Sequence, residues 1–324
     1  MGLLVDGVWQ EDVSRTTNGR FVRPSTAYHN FVTPDGSPGP NGKGGFAAEA
    51  GRYHLYVSLA CPWAHRTLIF RSLKQLDNVI SVSLADPLYG KTGWEFGGGR
   101  GGTADSVNGK KTLAEVYLLA DPQYTGRVSV PALWDKKQRT IVNNESSEII
   151  RMLNSAFEAF TNVHTDYYPA ELRAEIDRIN DVIYKTVNNG VYRCGFARSQ
   201  AAYEAAYDAL FATLDELEAR LGKQRYLVGR QLTEADWRLF PTLVRFDVAY
   251  FSLFKCNRNR IADFPNLLNY VRELYAVPAV AETVKPRYYV MGYYSITRVN
   301  PTGIIPKGTP VDFKKPHDRA RFAA

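Results

Sequence analysis

A predicted strand that runs directly into a cysteine and a proline is the feature that most constrains the fold of this chain. Residues 54–60 alternate in the way that favours a β-strand, and Cys61 and Pro62 follow at once. Proline is preferred at the first position of a helix, and residues 63–70 have the apolar spacing of one. The sequence therefore predicts a strand, a sharp turn and a helix, with the sulfur at the helix N-terminus.

Cys61 is predicted to be a reactive thiol. Unpaired N–H groups and the positive end of the helix dipole meet at a helix N-terminus and favour a thiolate. A dithiol motif would place its second cysteine at position 64, where the chain has alanine, so a thiol from outside must resolve any disulfide formed here. The alternative is a small buried hydrophobic side chain. Cys194 and Cys256 lack such a context, and we interpret both as structural.

Composition narrows the class of protein. A chain of 324 residues with 45% hydrophobic and 23% charged residues is typical of a soluble protein with two domains, or one with extensions. The net charge is +7, but the basic residues are interleaved with acids, so no nucleic-acid partner is expected.

No apolar span reaches membrane length, and no metal-ligand spacing is present. Three cysteines and the absence of a signal peptide favour the cytoplasm.

Residues 51–160 have the element order of a thioredoxin-like domain. The Cys61 helix is followed by a strand at 78–84, a long irregular stretch, a strand over 127–135 interrupted by Pro131, another short strand, and a helix from Ser146. In such a domain the bond before Pro131 is usually cis. The backbone that precedes it can then pair with an extended peptide.

The rest of the chain is predicted to be helical or extended. Residues 165–290 repeat apolar side chains every three or four positions, which is typical of an all-helical domain. Residues 1–50 are rich in Gly, Pro, Asn and Ser, and we interpret them as an extended arm packed on the core. Residues 291–324 form a C-terminal tail. The tyrosines near its start suggest that this segment folds back onto the body.

The Asn-Asn-Glu-Ser-Ser run at 143–147 lies at the predicted start of a helix. N–H groups, a hydroxyl and a carboxylate at such a position suit the amino-acid end of a γ-glutamyl peptide. Taken alone, Glu145 and Ser146 are equally well explained as helix caps. Together with Cys61 and Pro131, they favour glutathione binding.

Four stretches resemble the Xi class of glutathione transferases, the glutathionyl-hydroquinone reductases. They are Cys-Pro-Trp-Ala-His-Arg at 61–66, Gly-Arg-Val-Ser-Val-Pro at 126–131, Ile-Val-Asn-Asn-Glu-Ser-Ser-Glu-Ile-Ile-Arg-Met at 141–152 and Asn-Asn-Gly-Val-Tyr-Arg-Cys-Gly-Phe-Ala at 188–197. The resemblance covers nearly the whole chain. It implies the glutathione transferase fold: an α/β N-terminal thioredoxin-like domain and an all-α C-terminal domain, with a long N-terminal arm and a C-terminal tail. Such domains usually pair, so a homodimer is expected.

The resemblance also implies roles for individual residues. Cys61 would be the nucleophile and Tyr192 the proton donor, with Tyr250 and Tyr293 as further tyrosines around the sulfur and the aromatic ring. The residues implied to hold glutathione are Trp94, the backbone of Arg127, Val128, Ser129 and Val130, and Glu145 with Ser146. No cofactor is expected to be bound permanently, because glutathione is a co-substrate. The expected partners are glutathione and glutathionylated aromatic small molecules.

The expected activity is the reduction of glutathionyl-hydroquinones to hydroquinones through a mixed disulfide of Cys61 with glutathione, releasing glutathione disulfide. An aromatic carbanion is a poor leaving group, so the ring must first become a keto tautomer by receiving a proton on carbon. One alternative is a thioltransferase or dehydroascorbate reductase of the cysteine type, which the class-specific stretches disfavour. A non-catalytic transferase-like docking module is the other, and Cys61 with Tyr192 disfavours it.

Overall fold

The structure is a computed structural model that describes residues 2–11, 16–308 and 311–322. The chain divides into two compact units. The first comprises residues 1–14 and 24–165, and the second comprises residues 15–23 and 166–324. The domain boundaries proposed from the sequence stay predictions.

The first unit contains two short strands of the N-terminal arm and an α/β core. Its strands are β1 (Leu3–Val5), β2 (Val8–Gln10), β5 (Tyr53–Ser58), β6 (Ser81–Ala85), β7 (Ala132–Asp135) and β8 (Thr140–Asn143). Its α-helices are α1 (Pro62–Leu73), α2 (Leu113–Ala120) and α3 (Ser146–Ser155). A short 3₁₀ turn follows at Glu158–Phe160.

The core of the first unit is a sheet of order β6-β5-β7-β8. Strand β5 is parallel to β6, with Leu55 opposite Val82, and antiparallel to β7, with Leu55 opposite Leu133. Every side chain of β5 is buried, as expected of a central strand with both faces covered. Helices α1 and α3 pack against each other. This is the thioredoxin-like plan, and the predicted fold class is confirmed.

Two details of the predicted secondary structure are wrong. The stretch predicted to be irregular contains α2, whose N-terminus is closed by a capping box between Thr112 and Glu115. Its sequence is Leu-Ala-Glu-Val-Tyr-Leu-Leu-Ala, in which seven of the eight residues are apolar or tyrosine. The segment therefore has no amphipathic period from which a helix could be predicted. Residues 127–130, predicted as a strand before Pro131, are irregular, because hydroxyl groups of neighbouring tyrosines bind this backbone instead of a strand.

The second unit is helical and also holds a small hairpin from the N-terminal arm, β3 (Thr16–Thr17) with β4 (Arg20–Phe21). Its α-helices are α4 (Arg173–Ile183), α5 (Gly190–Gly195), α6 (Gln200–Leu221), α7 (Glu234–Arg245), α8 (Phe251–Leu253), α9 (Pro265–Ala276) and α10 (Pro286–Tyr294). Short 3₁₀ turns lie at Ala170–Leu172, Ile261–Asp263, Ala281–Thr283 and Arg319–Phe322.

Two π-helical segments interrupt the helices of the second unit. Tyr184–Asn188 joins α4 to α5, and Phe246–Tyr250 joins α7 to α8. A π turn adds a residue to the helix and rotates the face that follows, and such turns occur frequently at functional sites. Tyr192 lies in the helix that follows the first segment, and Tyr250 is the last residue of the second.

The side chain of Arg319 ties the C-terminal segment to the end of α6 within the second unit. Arg319 is fully buried and donates hydrogen bonds to the carbonyl oxygens of Leu221 and Gln224, at 2.6 and 2.7 Å. These carbonyls lie at and just beyond the C-terminus of α6, where helix carbonyls lack partners within the helix. A guanidinium cation there also faces the negative end of the helix dipole.

Candidate active site

Cys61 lies at the position that the sequence predicts, as the N-cap residue of α1 with Pro62 as the first helical residue. Its N–H donates to the carbonyl of Ser58 at the end of β5 (3.0 Å), which fixes the turn from strand to helix. The thiol is buried, and its Sγ donates to the carbonyl oxygen of Val130 at 3.5 Å.

The Val130–Pro131 peptide bond is cis, as the sequence predicts. The backbone before it is held by side chains. The hydroxyl of Tyr117 donates to the carbonyl of Ser129 (2.9 Å) and accepts from the N–H of Ser129 (3.3 Å). The hydroxyl of Tyr124 donates to the carbonyl of Arg127 (3.1 Å). Neither tyrosine was identified from the sequence.

The Tyr117 hydroxyl also joins this backbone to the start of α3. Asn144 donates from Nδ2 to the Tyr117 hydroxyl at 2.9 Å, and the Asn144 Oδ1 accepts the N–H of Tyr28 at 3.1 Å. Tyr117 is fully buried, and burial, as the largest cause, raises the pKa of its phenol. The group therefore stays protonated and can donate to Ser129 while it accepts from Asn144.

Glu145 and Ser146 begin α3. The Glu145 carboxylate accepts the N–H of Ser147 at 3.1 Å, which is the helix-capping role that the sequence left open. Arg66 donates from Nη1 to the hydroxyl of the buried Ser146 at 3.3 Å. We name Cys61, Val130, Pro131, Glu145 and Ser146 the thiol cluster.

Trp94 and Arg127 belong to loops that contact the first hairpin of the N-terminal arm. The Trp94 ring packs edge-on against Tyr89, with centroids 5.1 Å apart. Trp9 of β2 donates from Nε1 to the carbonyl of Lys91, three residues before Trp94, at 2.8 Å. Arg127 donates from Nη1 to the carbonyl of Gly2 at 3.0 Å. The arm is therefore part of the frame around both residues.

Tyr192, Tyr250 and Tyr293, which we name the phenol cluster, are brought together within the second unit. The hydroxyls of Tyr192 and Tyr293 are 2.6 Å apart, and those of Tyr293 and Tyr250 are 2.7 Å apart, so Tyr293 occupies the middle of a hydrogen-bonded chain. The three residues come from α5, the end of the second π segment and α10.

Burial distinguishes the members of the phenol cluster. Tyr250 and Tyr293 are buried, whereas Tyr192 is partly exposed. Burial, followed by the influence of Tyr192, raises the pKa of both Tyr250 and Tyr293 well above that of an ordinary tyrosine. These two phenols therefore stay protonated, and Tyr192 is the member of the cluster that solvent can reach.

Cys194 and Cys256 lie in the second unit and are buried. Burial, and then a hydrogen bond with Cys194, raises the pKa of the Cys256 thiol well above its ordinary value. A protonated, buried thiol is a poor nucleophile, which agrees with the structural role predicted for Cys256.

The described part of the chain holds no cluster of three or more His, Cys, Asp or Glu side chains that could bind a metal ion. Within residues 2–11, 16–308 and 311–322, every helix is too short or too polar to cross a lipid bilayer.

Comparison with known proteins identifies the family. The family models for the N-terminal and C-terminal domains of glutathione S-transferase match residues 60–156 and 200–273. The chain is 52% identical over 323 residues to the glutathionyl-hydroquinone reductase YqjG of Escherichia coli, covering 98% of each chain. It is 53% identical to the glutathionyl-hydroquinone reductase PcpF of Sphingobium chlorophenolicum over 95% of this chain and 96% of that one.

Solved structures agree with these relatives. The glutathione-bound structure of Escherichia coli YqjG superposes with a TM-score of 0.92, covering 98% of this chain and 99% of that one. A Xi-class glutathione transferase from Natrialba magadii also gives a TM-score of 0.92, at 45% identity, covering 99% and 98%. The chain thus belongs to the glutathione S-transferase family and, within it, to the group that contains the Xi-class transferases and the glutathionyl-hydroquinone reductases.

Proposed function

We propose that this protein is a glutathione-dependent reductase that converts glutathionyl-hydroquinones to hydroquinones. Identity of about 52% over the whole chain to two reductases of that name supports the activity. The observation that carries the mechanism is a helix-opening cysteine beside a cis-proline, in a chain that also contains a hydrogen-bonded chain of three phenols.

The thiol cluster would hold the glutathionyl group. A peptide laid along residues 127–130 would pair with this backbone as an added strand does, and its sulfur would then lie near Cys61. The N-terminus of α3 offers N–H groups to a carboxylate, with Glu145 and Ser146 beside it. Trp94 and Arg127 would complete the binding residues.

The first chemical step would remove the glutathionyl group from the aromatic ring. Tyr192 would give its proton to the ring carbon that carries sulfur while a ring hydroxyl gives up its own proton, which returns to the Tyr192 oxygen, and the ring would become a keto tautomer. The Cys61 thiolate would then attack the sulfur of the substrate. A sulfur–sulfur bond forms, the carbon–sulfur bond breaks, and its electrons form an enolate that takes up a proton on oxygen. The products are the hydroquinone and a mixed disulfide of Cys61 with glutathione.

The second step would restore the thiol. A second glutathione attacks the mixed disulfide as its thiolate, expels the Cys61 thiolate and leaves as glutathione disulfide. The two steps together oxidise two glutathione moieties and reduce the carbon–sulfur bond of the substrate. Ala64, which is buried on α1, fits this scheme because a cysteine at that position would compete with the external thiol.

The test is turnover of a glutathionyl-hydroquinone with excess glutathione, in the wild type and in Cys61→Ala. We expect one hydroquinone and one glutathione disulfide per turnover, and loss of turnover in Cys61→Ala. Cys256→Ala removes a buried thiol elsewhere and serves as the matched control, with activity retained. Retention of turnover by Cys61→Ala would refute the mechanism. Disulfide exchange without hydroquinone release in the wild type would favour the thioltransferase alternative.

The assembly state and the compartment belong to the same proposal. We expect a homodimer, because domains of this family usually pair about a two-fold axis. Sedimentation of the purified protein tests this expectation, and a monomer at micromolar concentration would contradict it. We also place the protein in the cytoplasm, since all three cysteines are thiols rather than members of disulfides.

A further inference from the structure

The second hairpin of the N-terminal arm is anchored within the second unit near the start of α6. Asn18 and Gly19 both have positive φ angles, 50° and 76°, which is the two-residue turn that suits a tight hairpin. The carbonyl of Gly19 accepts the N–H of Arg198 at 2.8 Å. A Cβ at position 19 would lie 2.6 Å from the hydroxyl oxygen of Ser199, so this close approach requires glycine.

The anchored hairpin brings two side chains to Tyr192. Phe21 is buried and stacks on the Tyr192 ring, with centroids 6.3 Å apart and planes inclined by 25°. The guanidinium carbon of Arg23 lies 4.7 Å from the centroid of the Tyr192 ring and 5.4 Å from that of Phe21. The cation therefore lies within the distance range of a cation–π contact with the phenol.

The position of Arg23 is fixed by a hydrogen bond to the helix that carries Tyr192. Its Nε donates to Oδ1 of Asn189 at 2.8 Å, and Asn189 is the N-cap residue of α5. Tyr192 lies in the first turn of this helix. The start of α5 thus holds both the guanidinium of Arg23 and the phenol of Tyr192. The hydrogen bond from Tyr293 meets Tyr192 at its oxygen and is a separate contact.

We infer that Arg23 is a positioning residue for proton transfer by Tyr192, an inference that rests on the proposed function. As Tyr192 gives its proton to the ring carbon of the substrate, negative charge develops on the phenol ring and its oxygen. A cation fixed over the ring stabilises that charge more than it stabilises the neutral phenol. Tyr293 acts on the oxygen of the same phenol through its hydrogen bond, and Arg23 acts on the ring face.

The experiment separates the charge of Arg23 from its hydrogen bond. Arg23→Gln removes the charge and keeps a donor for Asn189, whereas Arg23→Lys keeps the charge. We expect R23Q to lower kcat for glutathionyl-hydroquinone by roughly three- to thirty-fold, the range that a cation–π contact supports. Exchange of glutathione with a simple disulfide, which needs only the thiol, should be unchanged, and R23K should restore most of the loss. Arg20→Gln makes the same charge change at an exposed position of the same hairpin and should have no effect.

A double-variant cycle with Tyr192→Phe distinguishes the possible failures. If Arg23 acts through Tyr192, R23Q has no further effect on the residual turnover of Y192F. If Y192F loses turnover but R23Q behaves as wild type, the role of Arg23 is refuted and the proposed function stands. If Y192F keeps full turnover, the role of Tyr192 in the proposed function fails, and that of Arg23 fails with it.

R23Q could instead lower hydroquinone turnover and disulfide exchange equally, or lower turnover by the same factor in the wild-type and Y192F backgrounds. Either result would give Arg23 a structural role only. Thermal unfolding of each variant checks the fold, and Arg23→Met provides a second neutral variant. Failure of both neutral variants to fold would likewise assign the residue to structure and overturn the inference.

Discussion

Cys61 and Tyr192 are held in place by different kinds of structure. The thiol cluster is built mainly from backbone: a strand end, two helix N-termini and the carbonyl before a cis-proline. The phenol cluster is built from side chains that come from three separate parts of the second unit. The backbone geometry of the thiol cluster is compatible with many different side chains. The hydrogen-bonded chain of the phenol cluster, by contrast, is broken when any one of its three hydroxyls is removed.

The comparison extends to the N-terminal arm, whose two hairpins brace different units. The first hairpin binds loop backbone: Trp9 donates to the carbonyl of Lys91, and the N–H of Leu4 donates to the carbonyl of Gly126. The second hairpin contacts a side chain, through Phe21 and Arg23 on Tyr192. We therefore expect substitutions near the thiol cluster to alter glutathione binding, and substitutions near the phenol cluster to alter the chemical step.

Tyr192→Phe is expected to give the largest difference between the two clusters. Loss of a general acid lowers turnover by about 10²- to 10⁴-fold, so hydroquinone release should fall by that range. Exchange of glutathione with a simple disulfide should persist, because it needs no proton on carbon. Stopped assays of both reactions on one preparation provide the measurement. Parallel losses would remove Tyr192 from the role of proton donor.

Tyr293→Phe removes the middle hydroxyl of the phenol cluster. Tyr192 then loses a hydrogen bond that would stabilise its charge, and the buried hydroxyl of Tyr250 loses a partner. We expect about a ten-fold fall in hydroquinone turnover and a loss of about 1–3 kcal/mol in the free energy of unfolding.

Tyr294→Phe is the matched control for that variant, because it removes a hydroxyl from the adjacent residue of α10. Its turnover should match the wild type, as Tyr294 is outside the hydrogen-bonded chain formed by the phenol cluster. Urea unfolding and steady-state assays of both variants give the comparison. A Tyr293→Phe enzyme with wild-type turnover would show that the hydroxyl chain has no part in the reaction.

The thiol cluster could be predicted from the sequence because its parts are local. A strand, Cys61, Pro62 and the helical period lie within twenty residues, and Pro131 and Ser146 each end or begin an element. What the sequence did not indicate is the support behind this backbone. Tyr117 belongs to a short helix without an amphipathic period, and its hydroxyl acts on Ser129 from twelve residues away.

The phenol cluster was reached by resemblance alone, and physical reasons explain why. Tyr192 and Tyr293 are 101 residues apart, and no local pattern predicts that their hydroxyls meet. The π segments also shift the helical register in a way that a period of 3.6 residues cannot anticipate. Arg23 had no signal at all, because it lies in an arm without sustained periodicity.

Tyr117→Phe tests the support of the thiol cluster. The backbone of Ser129 would lose both bonds to the hydroxyl, so we expect a several-fold higher KM for glutathione, equally in both assays, and a free energy of unfolding lower by about 1–3 kcal/mol. Tyr53→Phe removes a hydroxyl bound to the carbonyl of Ala47, away from residues 127–130, and serves as control. An unchanged KM in Tyr117→Phe would mean that the backbone keeps its position without this brace.

The smallest effect concerns pH, and it involves His29 of the N-terminal arm, which binds α3 of the first unit. Burial alone would lower the pKa of His29, but its bonds to Glu148 of α3 and to the carbonyl of Thr26 outweigh this and raise it. A raised pKa in the folded state means that the stabilisation is complete below about pH 6.5, the unfolded value, and is lost as the pH rises through the folded value.

The His29 side chain is 37% exposed, so solvent screening reduces the effect to a few tenths of a kcal/mol. Tyr250 and Tyr293 add nothing in this range, since their pKa values are raised from one that already lies near 10. From about pH 5.5 to 8.5, the free energy of unfolding in urea should therefore fall slightly in the wild type. His29→Asn should lack the part of this fall that is due to His29. An identical dependence of the unfolding free energy on pH in both proteins would mean that the ion pair between His29 and Glu148 does not couple to folding. The arm would then be held to α3 by neutral hydrogen bonds, such as that from Asn143 to the carbonyl of Asn30.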